Sequence, residues 1–316
     1  VVGAFAWVLR KFMNISGSEG LVAAGNIFMG MTESPVLIKN YLPTMNRSEI
    51  FLVMVSGMGT IAGSVMGTYI GMLGGTDPAA KVLFATHLLS ASVMAVPGSI
   101  VLAKMLCPQT EEATDHVAIS GKEKENSNIL DAISSGTVTG VKLMTNIAAM
   151  LLVFISLVAL ANYITEGVIG RYTGLNDWIV KITDGKAQGL TFQFILGVIT
   201  SPFMWLIGVP SQDIMLVGSL LGQKTILNEF VAYFQLQQWK DAGLFMYEKS
   251  ILMSTYILCG FANISSIGIL LGGLGVLAPE KRGLISRIGV PGYDRRSLGL
   301  CAIGYYNWYD PWVIEN

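Results

Sequence analysis

Charge is scarce in this chain. Of 316 residues only 13% are Asp, Glu, Lys or Arg, while 52% are hydrophobic. A soluble domain carries roughly 25% charged residues. So little charge cannot cover a water-soluble body and points to a polytopic helical membrane protein. The net charge is −1, which excludes the basic footprint that holds a nucleic-acid polymer. Cysteine and histidine are scarcer still. Cys107, Cys259 and Cys301 lie far apart and form no CxxC pair, so they read as small apolar packing residues. His87 and His116 alone cannot build a metal site. There is no P-loop and no recognisable nucleophile motif, so neither ATP-driven pumping nor hydrolysis has residues to carry it.

Glycine is abundant, with 36 residues spread through apolar runs. Residues 1–13 are apolar, end near Arg10 and Lys11, and are too short to span, so we expect an interfacial helix. The chain opens with Val1 rather than Met, so we expect the natural N-terminus to lie upstream. Residues 16–42 are mildly apolar and broken by Gly30-Met31-Thr32-Glu33-Ser34-Pro35, as in two half-helices of a re-entrant hairpin. Residues 51–74 and 79–106 are long enough to span, and Gly57-Met58-Gly59-Thr60 weakens the first of them as a helix. His87 in the second reads as a satisfied core histidine. A hydrophilic loop follows over 107–128, then a span over 141–164, a polar loop over 165–189 and a span over 190–208 with Pro202 inside it. Residues 211–236 form a second interrupted segment, with its break at Gly222-Gln223-Lys224-Thr225. Residues 251–276 are broken at Gly260-Phe261-Ala262-Asn263.

These segments pair up. Aligning Glu33 with Glu229 sets Thr32-Glu33 against Asn228-Glu229, and aligning Gly57 with Gly260 sets Thr60-Ile61 against Asn263-Ile264. Broken segments at corresponding places in two halves are the best sequence pointer to a transporter site. A chain that unwinds within a bilayer must satisfy its freed N–H and C=O groups in a protein-lined or wet cavity. Glycine breaks are also common in membrane helices, so a channel, a receptor or a structural membrane protein remains open from the repeat alone. The expected plan is all-α: an interfacial helix over 1–13, a first repeat over 16–106, a loop over 107–128, a second, inverted repeat over 130–276, and a tail over 277–316.

Gly25-Asn26-Ile27-Phe28-Met29-Gly30-Met31-Thr32-Glu33-Ser34-Pro35 closely resembles the first hairpin of the concentrative nucleoside transporter family. Asn228-Glu229-Phe230-Val231-Ala232-Tyr233 looks like that family's second-hairpin signature, and Cys259-Gly260-Phe261-Ala262-Asn263-Ile264-Ser265-Ser266-Ile267-Gly268 is similar to its second broken helix. The resemblance covers about residues 1–285. It implies nucleoside uptake by symport with sodium, in a lipid bilayer, by a homotrimer. Some family members couple to protons instead, and Glu33 or Glu229 would then titrate. The family usually has Gln where this chain has Met31, and it ends in a further spanning helix, for which the apolar run over 298–306 is too short.

The resemblance also implies roles. Glu229, Asn263 and Ser266 would hold the ribose. Thr32 and Glu33 would meet the base, with Val65 and Phe261 packing nearby, and Gly30 and Met31 would belong to the same substrate site. Asn26, Met29 and Ile61 would offer main-chain carbonyls, and Thr60 its hydroxyl and carbonyl, to the sodium ion, oxygen ligands that suit a hard cation. A mid-membrane carboxylate costs at least about 2.5–3.5 kcal/mol, so Glu33 and Glu229 are functional candidates on physical grounds too. Blander readings stand beside these. Either carboxylate could cap a half-helix or pair with Lys224, Thr60 could bond back into its own helix, Phe261 could be plain packing, and Lys224 could snorkel to the interface.

Overall fold

A computed structural model of the chain describes residues 2–111 and 156–289, except 184 and 186, with a few isolated positions between 128 and 152. The described residues are helical and carry no strand. The chain divides into two units, one of residues 1–116 and 196–316, the other of 117–195. Most of the expected loop over 107–128, the first part of the span over 141–164 and the tail from 290 onward lie outside the described residues.

In the first unit, α1 (Val2–Met13) is an amphipathic helix with no buried residue and with Arg10 and Lys11 in its last turn, where cations suit the helix dipole. It lies on α2 (Gly17–Gly25), where a Cβ on Gly20 would stand 3.1 Å from the Ala6 carbonyl oxygen. A small residue there allows the backbones to approach. A capping box starts α2: Ser16 Oγ accepts from the Glu19 amide at 3.3 Å, and Glu19 Oε2 accepts from the Ser16 amide at 2.9 Å. The chain leaves helix after Gly25 and resumes as a 3-10 turn over Ser34–Ile38, with Pro35 near its start. Ser34 Oγ donates to the Val22 carbonyl at 2.8 Å, folding the break back on α2.

A second capping box, Asn46 with Glu49, starts α3 (Arg47–Gly59). The helix stops at extended Thr60 and restarts as α4 (Gly63–Gly74). Then α5 (Pro78–Leu106) is capped by Asp77, which accepts from the Ala79 and Ala80 amides at 3.0 and 3.2 Å. The segments Arg47–Gly74 and Pro78–Leu106 are both long and apolar enough to cross a membrane.

The second unit departs from expectation. The stretch read as a loop is helical over much of its length: a π-helix over Tyr163–Gly170, a short turn over Arg171–Thr173, and α6 (Leu175–Ile182). Leu175, Trp178, Ile179 and Ile182 recur at helical spacing between polar neighbours. Gly174, at φ +71°, separates the turn over Arg171–Thr173 from α6. Asn176 ties the unit together by accepting from the Leu190 amide and donating to the Glu166 carbonyl, each at 3.0 Å. The next helix, α7 (Phe192–Leu206), begins at the end of this unit and lies mostly in the first.

Back in the first unit, α8 (Ile214–Ile226) runs straight through the expected break at 222–225, and the true interruption is Leu227-Asn228. Gly222 serves close packing instead, since a Cβ there would lie 2.5 Å from the Leu196 side chain. Asn228 restarts the chain as the N-cap of α9 (Glu229–Asp241), accepting from the Val231 amide at 2.9 Å. Buried Asp213, just before α8, accepts from the Met246 and Tyr247 amides at 3.0 and 3.1 Å and fixes the approach to α10 (Glu248–Leu258). After a break at Cys259–Asn263 the chain continues as α11 (Ile264–Leu277) and, after a 3-10 turn, α12 (Arg282–Gly289).

Candidate functional site

Three interruptions meet inside the first unit. Gly260 has φ +112°, and a Cβ on it would stand 2.8 Å from the Gly59 carbonyl oxygen. Only glycine lets the α10–α11 break press so closely on the end of α3. The break after α2 joins them. Phe28 O accepts from the Gly63 amide at 3.2 Å, and Asn26 Nδ2 donates to Ser56 Oγ at 3.0 Å. Met31 lies against Gly57, whose Cβ would stand 3.0 Å from that of Met31, and Thr32 packs on Gly273 of α11.

Two helix starts converge beside these breaks. Glu229 opens α9 and Asn263 caps α11. Asn263 Nδ2 donates to Glu229 Oε2 at 2.7 Å. Asn263 Oδ1 accepts from the Ser266 amide at 2.8 Å and from Ser266 Oγ at 3.0 Å. Glu229 is 6% exposed and Asn263 2%. The positive end of the α9 dipole favours a carboxylate at its start. An ionised carboxylate has about four acceptor sites, so the Asn263 bond leaves capacity for hydroxyl donors.

Tyr69 of α4 completes this cluster, and the sequence reading did not single it out. Its ring stacks on Tyr233 with centroids 4.1 Å apart and lies 6.1 Å from that of Phe230. Its buried hydroxyl is close to Glu229 yet makes no hydrogen bond of regular geometry. One signal could have found it: Tyr69 follows Val65 by one helical turn, on the same face of a glycine-rich apolar helix. Val65 and Phe261 both pack, half-buried, against the apolar cluster that contains Tyr69 and Tyr233.

The remaining expected residues divide. Asn26 is fully buried and its Oδ1 has no hydrogen-bond partner. An orphaned acceptor inside protein is costly, and it is the kind of oxygen a hard cation takes. Ile61 is fully buried and Met29 half-buried nearby in the chain. Thr60 Oγ1 bonds back to Ser56 O at 3.2 Å, the blander of its two expected states. Glu33 is exposed, and its carboxylate turns back on the Gly30 amide. Lys224 does not snorkel. It is fully buried, and its Nζ donates to the carbonyls of Ile257 at 3.0 Å and Cys259 at 3.5 Å. His87 is half-buried and bonds through Nδ1 to Tyr256 Oη at 2.9 Å.

Apolar spans, helices interrupted within them and a buried carboxylate–amide cluster at the interruptions define a multi-pass helical membrane protein with a polar site between broken helices. Comparison with known proteins narrows the class. A family profile described as Na+ dependent nucleoside transporter C-terminus matches residues 87–292. A second profile, described as a nucleoside recognition Gate, matches residues 1–76. An uncharacterized transporter of Haemophilus influenzae is 38% identical over 293 residues, which are 92% of this chain and 65% of that protein. Sodium/nucleoside cotransporter 1 of Rattus norvegicus is 38% identical over 302 residues, 91% of this chain and 43% of that one. The chain thus spans less than two thirds of each of these relatives. The solved structure of CNTnw in an inward-facing substrate-bound state is 34% identical with a TM-score of 0.79, over 97% of this chain and 68% of that one. The chain belongs to the Na+-dependent, concentrative nucleoside transporter family, a family of membrane transporters rather than enzymes.

Proposed function

We propose that the protein takes up nucleosides by symport with sodium. The observation that carries this reading is the buried Asn263–Glu229 bond, which joins two helix starts. A vicinal diol is a matching ligand. Its two hydroxyls donate to one carboxylate, and hydrogen bonds to charged groups contribute about 1.5–3 kcal/mol each. Ribose offers that diol. Glu229, Asn263 and Ser266 hold it, while Gly30, Met31, Thr32, Glu33, Val65 and Phe261 receive the base, with Glu33 turning inward from its bond to Gly30. The names of the rat relative and of the matching profiles support the substrate and the ion.

Sodium is the coupling ion in this reading. The unpartnered Asn26 Oδ1 supports it, with main-chain oxygens of Met29 and Ile61 and the oxygens of Thr60 completing the set. The α2 hairpin with α3–α4, and the α8–α9 hairpin with α10–α11, are then two inverted repeats about the substrate. The assembly is a homotrimer in the cell membrane. Sodium fixes the α2 hairpin against the α3–α4 break, and the loaded body then moves across the bilayer. Each ligand raises the affinity of the other by the same factor.

Thermal melting of the purified protein tests the reading. In sodium buffer, uridine at about one hundred times its Kd stabilises by about 2.7 kcal/mol; in choline buffer the shift shrinks. If no nucleoside moves the melting midpoint in sodium or at low pH, the reading falls.

A further inference from the structure

Lys224 has no part in the site so far described, yet it is among the largest fully buried side chains. A buried ammonium is costly unless it is paired or fully hydrogen-bonded. Its two acceptors, Ile257 O and Cys259 O, lie where α10 stops and the chain unwinds. The last carbonyls of a helix find no partner within it, and hydrocarbon supplies none. Here the partners can be followed along the chain. Thr255 O accepts from Tyr233 Oη at 2.7 Å, and Tyr256 O accepts from the Cys259 amide at 2.9 Å. Ile257 O and Cys259 O share the Lys224 ammonium. Both side-chain donors come from the α8–α9 hairpin. The ammonium also sits at the negative end of the α10 dipole, with Glu229 near enough to interact through charge.

The first break is built differently. When Gly57 is aligned with Gly260, Ser56 falls opposite Cys259. Ser56 is met by Asn26, which is neutral and keeps an unpartnered oxygen. Cys259 is met by Lys224.

We infer that Lys224 is the resident cation of the second break, a tethered charge that holds the carbonyls of Ile257 and Cys259 as a bound metal ion would. By fastening α8 to the end of α10 it sets Glu229, just beyond it in the chain, against Asn263, just beyond Cys259. Lys224 is therefore a positioning residue for nucleoside binding, an inference that rests on reading Glu229 and Asn263 as the ribose site.

The test compares Lys224→Ala and Lys224→Met with the unsubstituted full-length protein in sodium buffer, by uridine affinity and melting midpoint, with and without methylammonium chloride. Lys224→Ala leaves room for a small ammonium ion, and Lys224→Met fills that room without charge. Both should lose about tenfold in uridine affinity. Methylammonium should restore about threefold or more to Lys224→Ala and nothing to Lys224→Met. Tetramethylammonium, which has no N–H to donate, should restore neither. Unchanged uridine affinity in both variants overturns the inference, and so does a folded Lys224→Ala that methylammonium leaves unaltered. If neither variant folds, extraction in methylammonium decides. Recovery of Lys224→Ala alone supports the inference, and recovery of neither overturns it. A failure of the nucleoside reading would show separately, as no uridine binding by the unsubstituted protein, and the melting midpoints would still test Lys224.

Discussion

Asn263 and Glu229 stand at the starts of two different helices, and the amide of one donates to the carboxylate of the other at 2.7 Å. Two helix N-termini, whose first N–H groups find no partner among their own helix carbonyls, thereby meet at one buried polar point in an apolar body. The carboxylate is stabilised by both ends and keeps acceptor capacity. The variants below probe the parts that build this point.

Met31 packs on Gly57 in the break after α2, at the position where the resemblance noted above implies a Gln. A thioether offers a base edge neither the donor nor the acceptor of an amide. Met31→Gln should change the relative uptake of uridine, cytidine, adenosine and inosine. The same ranking and ratios in both proteins would remove Met31 from the base site.

Asn26 presents a buried oxygen without a partner. Asn26→Leu removes it, and the sodium concentration for half-maximal uridine binding should rise about tenfold or more, equivalent to about 1.4 kcal/mol. Thr60→Val should act in the same direction by less, since its hydroxyl already bonds to Ser56 O. Titration of uridine affinity against sodium is the check, and a superimposable curve for Asn26→Leu contradicts the assignment.

Gly260 holds a left-handed backbone, φ +112°, hard against Gly59. Gly260→Ala should cost on the order of 1–3 kcal/mol in backbone strain, with a steric clash added. Gly67→Ala, whose new Cβ meets nothing within 4 Å, is the control and should stay within about 1 kcal/mol. Melting midpoints of the two variants read the difference, and equal midpoints would mean that the breaks do not cross as described.

Glu19 is buried, and Lys104 of α5 reaches it at 2.5 Å and Ser48 at 3.1 Å. This pair ties the start of α2 to the end of α5. Lys104→Met strands the carboxylate and should cost about 3–5 kcal/mol, whereas adding Glu19→Gln should return part of that loss. Unfolding of the single and double variants gives the coupling, and strictly additive losses would show that the pair contributes nothing.

The sequence was most legible where backbone chemistry is demanding. Asn26, Gly57, Gly260 and Asn263 all fall at or beside real interruptions, because an unwound chain in apolar surroundings needs small or capping residues there. It was less legible where packing decides. Gly222 resembles a breaker but admits Leu196, so the helix is interrupted only at Leu227-Asn228. Lys224 looks bound for the interface until the orphan carbonyls of α10 are placed beside it, and no local pattern encodes a contact between such distant residues. The stretch 165–189 is polar in composition yet helical in period through Ile182, and there composition misled where spacing would have served. Glu33 carries the same motif chemistry as Glu229, but its exposed side chain turns back on Gly30.

Radiolabelled uridine uptake into proteoliposomes, with an inward sodium gradient and with choline in its place, tests the central claim, run beside Glu229→Gln. Uptake driven by sodium and reduced about tenfold or more by Glu229→Gln is the predicted result. Sodium-driven uptake untouched by that substitution would contradict the ribose assignment, uptake driven by a pH gradient alone would contradict the ion, and no uptake of any nucleoside would contradict the function.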